Sequence, residues 1–377
     1  MNELAAEEQK TVARARSFAK QVAAPNAAAW EAERQLPRTI LKAAAEKGLT
    51  GLLVPEHLGG KAHSATALAQ ILEALASVDL ALAFSLVVHN NHMGAIARFG
   101  SPALQERYLP ELMTVERLGA FLLTEPEGGS DAAAIRTRAE NTANGWRISG
   151  RKAWVTNGTE ADLLSVYAQT DPAAGWRGIA AFLVEADTPG VIREDAYDLV
   201  GGHALGACGF RFEDCLVPAE NLLVPPGEGF KAAMAGIDLA RAGVAAMCTG
   251  MLAASLAIAV DYLANRDAFG ARLSTRQGLQ WQLADVATDL EAMRLLTYAA
   301  TAALDAERFA AIAAAHAKKF ATRAALSGVS TCMQALGANG LKQEYPLARH
   351  LAGAKIAQYL DGTTEIQNIV ISRDLFG

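Results

Sequence analysis

The stretch GAFLLTEPEGGSD, residues 119–131, marks the point at which the pattern of the chain changes. Before it, apolar stripes at helical spacing predict helices over residues 1–119. After it, up to residue 230, the segments are short, alternating or β-branched, and bounded by Gly, Pro, Asn and Asp, which predicts strands. Long alanine-rich helical patterns then return over residues 231–377. The sequence therefore predicts three regions in the order helices, strands, helices.

Composition restricts the class of protein. The chain has 377 residues, of which 51% are hydrophobic and 20% charged, and its net charge is -6. This length suits two or three domains around a large core. The acidic balance, without any basic block, argues against a nucleic-acid partner. The N-terminus carries acids and no apolar signal core. We expect no run that approaches the roughly 18–20 apolar residues needed to span a bilayer, and hence no membrane partner.

The thiols and histidines give no sign of a metal centre. The four cysteines include no Cys-x-x-Cys pair, which predicts reduced thiols in a cytoplasmic protein. His89 and His92 stand three residues apart, but neither a carboxylate nor a third ligand is near them in sequence. The sequence therefore predicts no metal site.

Two stretches at predicted strand ends could contact a flat ligand with hydrogen-bonding edges. In LLTEPEGGSDAAA, residues 122–134, the hydroxyls of Thr124 and Ser130 and the backbone N–H groups could bind such an edge. A glycine turn between two elements explains the same residues. In RKAWVTNG, residues 151–158, Trp154 could stack on a ring. The alternative is a hairpin closed by the Asn-Gly dipeptide.

Two further stretches lie in the C-terminal region. In NRDAFGARLSTRQ, residues 265–277, Arg266 could hold a phosphate and Phe269 could pack on a flat ring. A solvated, charged helix end is the alternative. In QALGANGLKQEYPLARH, residues 334–350, the glycines indicate either close backbone approach to a ligand or a simple helix end.

The stretch YLDGTTEIQN, residues 359–368, contains an acid in an unusual position. Thr364 followed by Gln367 fits a capping box at the start of a helix. Asp361 lies in the turn just before it, next to a glycine. It is either a further capping residue or a catalytic base.

Together, five motifs resemble the acyl-CoA dehydrogenase family in their order and spacing: LTEPEGGSD (123–131), KAWVTNG (152–158), NRDAFG (265–270), QALGANG (334–340) and LDGTTEIQ (360–367). The resemblance covers essentially the whole chain. It implies a mainly α fold with a central β domain: an N-terminal α-helical domain (1–119), a middle β-sheet domain (120–230) and a C-terminal four-helix bundle (231–377). It also implies non-covalent FAD, an acyl-CoA substrate, an electron-transferring flavoprotein as acceptor, and a homotetramer built as a dimer of dimers.

The resemblance also implies roles for individual residues. The residues expected to contact the subunit's own flavin are Phe121, Leu123, Thr124, Gly129, Ser130, Trp154, Val155 and Thr156, with Thr363 and Glu365 at its adenosine end. The residues expected to meet the FAD of a neighbouring subunit are Arg266, Phe269, Gln277, Gln334, Gly337 and Ala338. Those expected to touch the substrate are Ser130, Asp238, Arg241 and Gly362.

Asp361 matches the family position of the catalytic base, which removes the α-proton while the β-hydrogen leaves as hydride to flavin N5. The usual residue there is glutamate, and a second lineage places its glutamate near 240, where this chain has Ala240. The shorter acid pulls the carboxylate back by roughly 1–1.5 Å, and a misplacement of about 1 Å costs on the order of 100-fold in rate. An α-carbon held closer, as in a ring, would compensate. The sequence therefore favours a cyclic or α-branched acyl-CoA, as in the cyclohexanecarboxyl-CoA dehydrogenase-like branch of the family.

Two departures leave other functions open. Ala352-Gly353 replaces the Arg-Asp pair that relatives often carry, and the loop GGHALGACG, residues 201–209, lacks the usual Arg and Ser/Thr set. A short or medium straight-chain substrate and a carrier-protein thioester stay possible. So do an oxidase or flavin monooxygenase that uses O₂, and a non-catalytic thioester-binding protein. The carboxylate at 361 favours the dehydrogenase, because the O₂-using lineages often lack it.

Overall fold

The N-terminal region is helical, as expected. The computed structural model describes residues 4–377. The helices before the sheet are α1 Ala6–Phe18, α2 Ala27–Glu33, α3 Arg38–Glu46, α4 Ala65–Ala76, α5 Leu80–Phe99 and α6 Pro102–Met113. The side chains of Ser64, Asp79 and Ser101 each accept a hydrogen bond from a backbone N–H in the first turn of α4, α5 and α6 respectively. These caps explain where the three helices begin.

The middle region is a single twisted sheet. Its strands are β1 Gly119–Leu122, β2 Arg138–Thr142, β3 Gly145–Val155, β4 Leu163–Gln169, β5 Ile179–Glu185, β6 Val191–Ala196, β7 Cys208–Val217 and β8 Leu222–Val224. The order is β6-β7-β3-β2-β4-β5-β8, and β1 pairs in parallel with β4. Every residue of β4 is buried. The four segments with a clear strand pattern became β3, β4, β5 and β7, whereas β2 and β6 are polar and lack that pattern.

The Asn-Gly dipeptide after β3 does not close a hairpin. β3 pairs with β2 and β7, and the hairpin lies between β2 and β3, where Thr142 faces Gly145. Asn157 has a φ of 63°. Its buried amide lies 3.2 Å from Ser85 O and 3.4 Å from Gly119 O. The turn therefore ties the sheet to α5, and the hairpin alternative for RKAWVTNG is wrong.

The C-terminal region contains three long helices and two shorter ones: α7 Gly229–Asn265, α8 Gln277–Asp305, α9 Ala311–Ala335, α10 Leu347–Ala357 and α11 Thr364–Phe376. A small two-stranded pair, β9 Asp267–Ala268 and β10 Ala271–Arg272, separates α7 from α8. α7 packs against α8 and α9, and also against α4 of the N-terminal region. Both α10 and α11 pack on α9. The bundle is thus built around α7 and α9.

Two helices correct the expectation about apolar length. α5 and α7 are long and apolar enough to cross a bilayer by length and composition alone. Within the protein, however, 72% of the most apolar window of α5 and 67% of that of α7 is buried. Both helices lie against other elements on several sides, so core packing explains their apolar character.

One glycine determines how closely α4 and α7 approach. A Cβ placed on Gly250 of α7 would lie 2.1 Å from the carbonyl oxygen of Glu73 in α4. Gly236, in the same helix, has nothing within 4 Å of such a Cβ. The two positions thus form a matched pair of helical glycines, one in close contact and one free.

We expect Gly250→Ala to lower the free energy of unfolding by about 1–3 kcal/mol, because the methyl group forces the two helix backbones apart. Gly236→Ala should instead raise it by roughly 0.5–1 kcal/mol, since alanine reduces the entropy of the unfolded chain. Urea unfolding of both variants measures the difference. Equal effects at the two positions would contradict the close packing of α4 on α7.

Candidate active site

Asp361 lies in the connection between α10 and α11 with an unusual backbone. Its φ is 50°, and that of Gly362 is 90°. A left-handed conformation at a non-glycine residue is uncommon and costs free energy. The Asp361 Oδ2 atom is buried and has no hydrogen-bond partner in residues 4–377. The acid is therefore held in a strained turn with Oδ2 free of hydrogen bonds to these residues, which a capping role does not require.

Lys318 of α9 holds this turn through its main chain. The side chain is 0% exposed. Its ammonium donates to the carbonyl oxygens of Gln358, at 3.2 Å, and of Gly362. The two acceptors flank Asp361 in sequence.

Two further side chains bind the carbonyls of the same turn. Arg241 Nε of α7 donates to Asp361 O at 3.2 Å, and its Nη1 pairs with Asp238 Oδ1 at 2.8 Å. Gln367 Nε2 of α11 donates to Gly362 O at 2.9 Å. Side chains from three helices therefore bind the main chain around Asp361, while its Oδ2 stays free.

Gln367 corrects the expected capping box. α11 begins at Thr364, and its N-cap, Thr363, makes no side-chain cap hydrogen bond. Gln367 is 0% exposed and its amide is used by the turn carbonyls. The predicted capping box is wrong because the Gln367 side chain packs inwards and does not accept a hydrogen bond from the N-terminus of α11. Glu365, in the first turn, is exposed.

The electrostatic environment suits a proton acceptor. Burial raises the pKa of Asp361 to about 6, and the nearby positive charges of Lys318 and Arg241 oppose that rise. Burial lowers the pKa of Lys318 to about 8. The pKa of Asp361 is therefore raised, and that of Lys318 lowered, towards neutral pH. An acid that titrates close to the working pH is an efficient general base.

A cavity of about 930 Å³ lies in front of Asp361. Its volume is in the range of small-molecule sites. α5 and α7 contribute part of its wall, including the apolar residues Phe84, Val87, Leu239 and Ala240. Asp361 and Ala240 thus line the same space, which an apolar group can fill.

His89 and His92 have structural roles at the edge of this region. His89 Nδ1 accepts from Gly119 N–H at 3.1 Å, so its Nε2 carries the proton and donates to Leu112 O at 2.8 Å. His92 Nδ1 lies 3.0 Å from Ser165 Oγ. Burial lowers the pKa of His89 to about 4 and that of His92 to about 3. Both rings are neutral and link α5 to neighbouring segments. Residues 4–377 contain no group of three or more His, Cys, Asp or Glu side chains that could hold a metal ion.

The end of β3 presents an aromatic surface. Trp154 has a φ of 58°, and its side chain is 60% exposed. Its ring lies 4.5 Å from that of Tyr197. Val155 and Thr156 beside it are buried. A strained backbone that turns a large aromatic side chain outwards fits a flat cofactor such as a flavin, which would cover the ring.

The neighbouring loop after β1 is anchored by a buried ion pair. Lys152 Nζ lies 2.9 Å from Glu125 Oε1 and donates to Leu123 O, also at 2.9 Å. Glu125 also accepts from the backbone N–H groups of Arg136 and Thr137. Beyond Glu125 the loop is exposed and includes Gly129 and Ser130. Phe121 and Thr124, just before it, are half-buried. Sequence reasoning missed the anchor, although both charged residues lie inside the two motifs.

The residues expected to meet a neighbour's cofactor lie at the ends of the long helices. Arg266 follows α7 and Gln277 begins α8. Phe269, between β9 and β10, has a φ of 53° and is 95% exposed. The remaining members of this group lie at the end of α9 and just after it: Gln334, Gly337 and Ala338. All six residues are exposed, and we call them the outward-facing set.

The two departures noted in the sequence meet in space. A Cβ on Gly201 would lie 2.7 Å from the Cβ of Ala352 in α10. Next to it, Gly202 N–H donates to Glu31 Oε1 at 2.8 Å, and His203 Nδ1 lies 2.9 Å from the same oxygen. The small residues at 201 and 352 therefore pack against each other, and Glu31 of α2 binds the loop next to this contact.

Comparisons with known proteins match the chain along nearly its whole length. Three family models match: Acyl-CoA dehydrogenase, N-terminal domain, over residues 5–116; middle domain, over 120–215; and C-terminal domain, over 227–376. The mitochondrial short-chain specific acyl-CoA dehydrogenase of Mus musculus is 37% identical over 361 residues, 96% of this chain and 88% of that protein. The mitochondrial isovaleryl-CoA dehydrogenase of Oryza sativa subsp. japonica is 36% identical, with 95% and 88% covered. The structure of butyryl-CoA dehydrogenase from Megasphaera elsdenii superposes with a TM-score of 0.96 at 34% identity and covers 100% of both chains.

The raised pKa of Asp361 predicts how stability depends on pH. The folded protein holds this proton up to about pH 6, whereas the unfolded chain releases it near 3.8. The free energy of unfolding should therefore fall as pH rises through that window. Asp361→Asn removes the titration, so this variant should match the wild type at pH 4 and exceed it by roughly 1–3 kcal/mol at pH 7.

Urea unfolding of both proteins at pH 4 to 8 measures this difference. Asp374→Asn, a change of an exposed acid on α11, the helix that follows the turn, serves as the control and should leave the curve unchanged. A constant gap between Asp361→Asn and the wild type across this range would show that the carboxylate is not the strained group.

Proposed function

The chain belongs to the acyl-CoA dehydrogenase family and catalyses FAD-dependent dehydrogenation of an acyl-CoA, and on that premise we propose that its substrate carries a ring or a branch at the α-carbon. One observation carries the proposal. The short acid Asp361 and the small residue Ala240 line one cavity. Two short side chains occupy less of such a cavity than longer ones would, and we infer that the space is taken by a bulky α-carbon. A cyclic acyl group such as cyclohexanecarboxyl fits this description best.

The residues of the turn divide the chemistry between them. Asp361 Oδ2, free of other partners, takes the α-proton. The backbone N–H of Asp361 has no acceptor in residues 4–377 and is available to the thioester oxygen, where negative charge develops. When bound, FAD supplies the acceptor for the β-hydrogen, which leaves as hydride. Trp154 would stack on its ring. Thr156 and the loop after β1 would form hydrogen bonds with the edges of the ring.

The length of the Asp361 side chain determines which α-carbons its carboxylate can reach. A carboxylate one methylene shorter reaches a straight-chain α-carbon poorly, and a misplacement of about 1 Å costs on the order of 100-fold in rate. A tertiary α-carbon in a ring is held closer, because the ring fills the space in front of the base. The apolar walls from Phe84, Val87 and Leu239 favour such a group over a polar one.

Anaerobic titration of the purified flavoprotein with acyl-CoA thioesters tests this substrate. Cyclohexanecarboxyl-CoA should bleach the flavin absorbance faster than butyryl-, octanoyl- or palmitoyl-CoA. In Asp361→Glu the preference should shift towards straight chains, because the added methylene occupies the space of the ring. Asp361→Asn should lower every rate by about 10²–10⁴-fold, since an amide accepts no proton.

The possible outcomes test the cyclic substrate and the role of Asp361 independently of the assignment to the family. A straight chain that reduces the wild-type flavin at least tenfold faster would reject the cyclic substrate and leave the dehydrogenase intact. An Asp361→Asn variant with more than about a tenth of the wild-type rate would reject Asp361 as the base, given the usual size of general-base effects.

We also propose that the FAD site is completed by a neighbouring subunit of a homotetramer, and that an electron-transferring flavoprotein takes the electrons. The support is the outward-facing set around Arg266, which includes a phenylalanine that is 95% exposed. Such an aromatic side chain in a left-handed backbone gains nothing from solvent, whereas a partner's cofactor would cover it. The cytoplasmic location stays a prediction.

Arg266→Ala should lower FAD occupancy and tetramer stability together, because the guanidinium is expected to bind the phosphates of a neighbour's cofactor. Flavin absorbance per subunit and analytical ultracentrifugation measure the two effects. Arg211→Ala, which removes an exposed arginine of β7 paired with Glu213, is the control. A monomer with full FAD occupancy would contradict the shared site.

A further inference from the structure

Lys318 is a buried lysine without an ion-pair partner at contact distance among the described residues, which is unusual for a charged side chain. It lies within the alanine-rich helix α9 and is 0% exposed. A buried ammonium costs several kcal/mol unless it is bound by strong acceptors. It forms no ion pair at contact distance, since the described salt bridges do not include it. Its partners are main-chain carbonyls.

These carbonyls lie on both sides of Asp361. Gln358 O precedes the acid by three residues, and Gly362 O follows it directly. Binding both oxygens fixes the path of the chain through the left-handed residue Asp361. Because the donor takes carbonyls and leaves the carboxylate alone, it stabilises the strained turn without neutralising the base.

We propose that Lys318 is a positioning residue for the reaction: its ammonium holds the turn in the conformation that keeps the Asp361 carboxylate free and next to the cavity. This inference rests on the proposed role of Asp361 as the base. Lys318 itself does not touch the reacting atoms.

The charge of Lys318 adds an electrostatic effect. Asp361 faces the charges of Lys318 from α9 and of Arg241 from α7, which is paired with Asp238. Lys318 in turn faces Asp361, Arg241, the buried thiol of Cys248 from α7 and Glu365 from α11. Without Lys318, the only remaining cation in this set is partly compensated, so the pKa of Asp361 should rise above its value of about 6.

Three variants separate position from charge. Lys318→Met keeps the volume and removes both donor and charge, whereas Lys318→Gln keeps a donor and removes the charge. Lys319→Met, at the adjacent exposed position of α9, is the matched control. The rate of flavin reduction per bound flavin is measured against pH in each holoprotein.

We expect Lys318→Met to reduce the rate at pH 7 by roughly 10- to 100-fold, because the turn relaxes and the base moves. The pH midpoint of the rate should move upwards in both Lys318 variants, and Lys318→Gln should keep more of the rate. Lys319→Met should behave as wild type. A structural role alone would lower FAD occupancy or the melting temperature and leave the midpoint unchanged, and that result would overturn the proposal. If Lys318→Met fails to fold, Lys318→Gln tests the same midpoint.

A second measurement does not depend on activity. The stability gain of Asp361→Asn over the parent is compared, from pH 4 to 8, in the wild-type and Lys318→Gln backgrounds. The gain should be larger and complete at higher pH when Lys318 is absent, because the uncompensated carboxylate then costs more. Equal gains in the two backgrounds would reject the coupling. If no acyl-CoA reduces the wild-type flavin, the proposed function fails, but this comparison still decides whether Lys318 acts on Asp361.

Discussion

The site depends on a partly buried carboxylate at the wall of the cavity, with no hydrogen-bond partner for its Oδ2 atom in residues 4–377. A paired acid would have a low pKa and be a poor proton acceptor, whereas an unpaired one costs free energy wherever it is buried. In this chain the free-energy cost of the unpaired carboxylate is offset by hydrogen bonds to the main chain around the acid. Lys318, Arg241 and Gln367 bind the carbonyls of the turn, so the strained backbone is stable while Asp361 Oδ2 stays free.

This requirement explains much of the surrounding architecture. The three donors come from α7, α9 and α11, so the packing of these helices on one another determines where the base lies. α5 and α7 supply apolar wall of the cavity, and Asn157 and the two histidines tie α5 to the sheet. The turn with the base and the strand end with Trp154 therefore belong to one connected structure. A shift of either helix would move the acid relative to any bound group.

Local pattern was enough to predict the order of the regions, because the helical and strand periodicities differ over long segments. It was also enough to single out Asp361, an acid beside a glycine before a helix. Local pattern failed where tertiary contacts determine the role of a residue. Gln367 fits a capping box, but its amide is used by the turn, and the Asn-Gly dipeptide reads as a hairpin although β3 pairs elsewhere. Lys318 has the appearance of a surface lysine in an alanine-rich helix, since sequence alone does not show which face is covered. The only sequence signal was its helical spacing from Ala314 and Ala321, small apolar residues that the structure places on the buried face of α9.

The use of carbonyls as anchors has a consequence for how such a protein diverges. Every residue offers the same carbonyl oxygen, so the anchors do not themselves require an acid at position 361, and the left-handed backbone there disfavours mainly β-branched and bulky side chains. Selection can therefore exchange a longer acid for a shorter one, or remove it, without first redesigning the loop. Neighbouring positions on the cavity wall, such as Ala240, can then adapt one at a time. Anchoring of the turn and choice of the acid are therefore separate properties of this site: the length of the side chain at 361 can change while the turn keeps its hydrogen bonds.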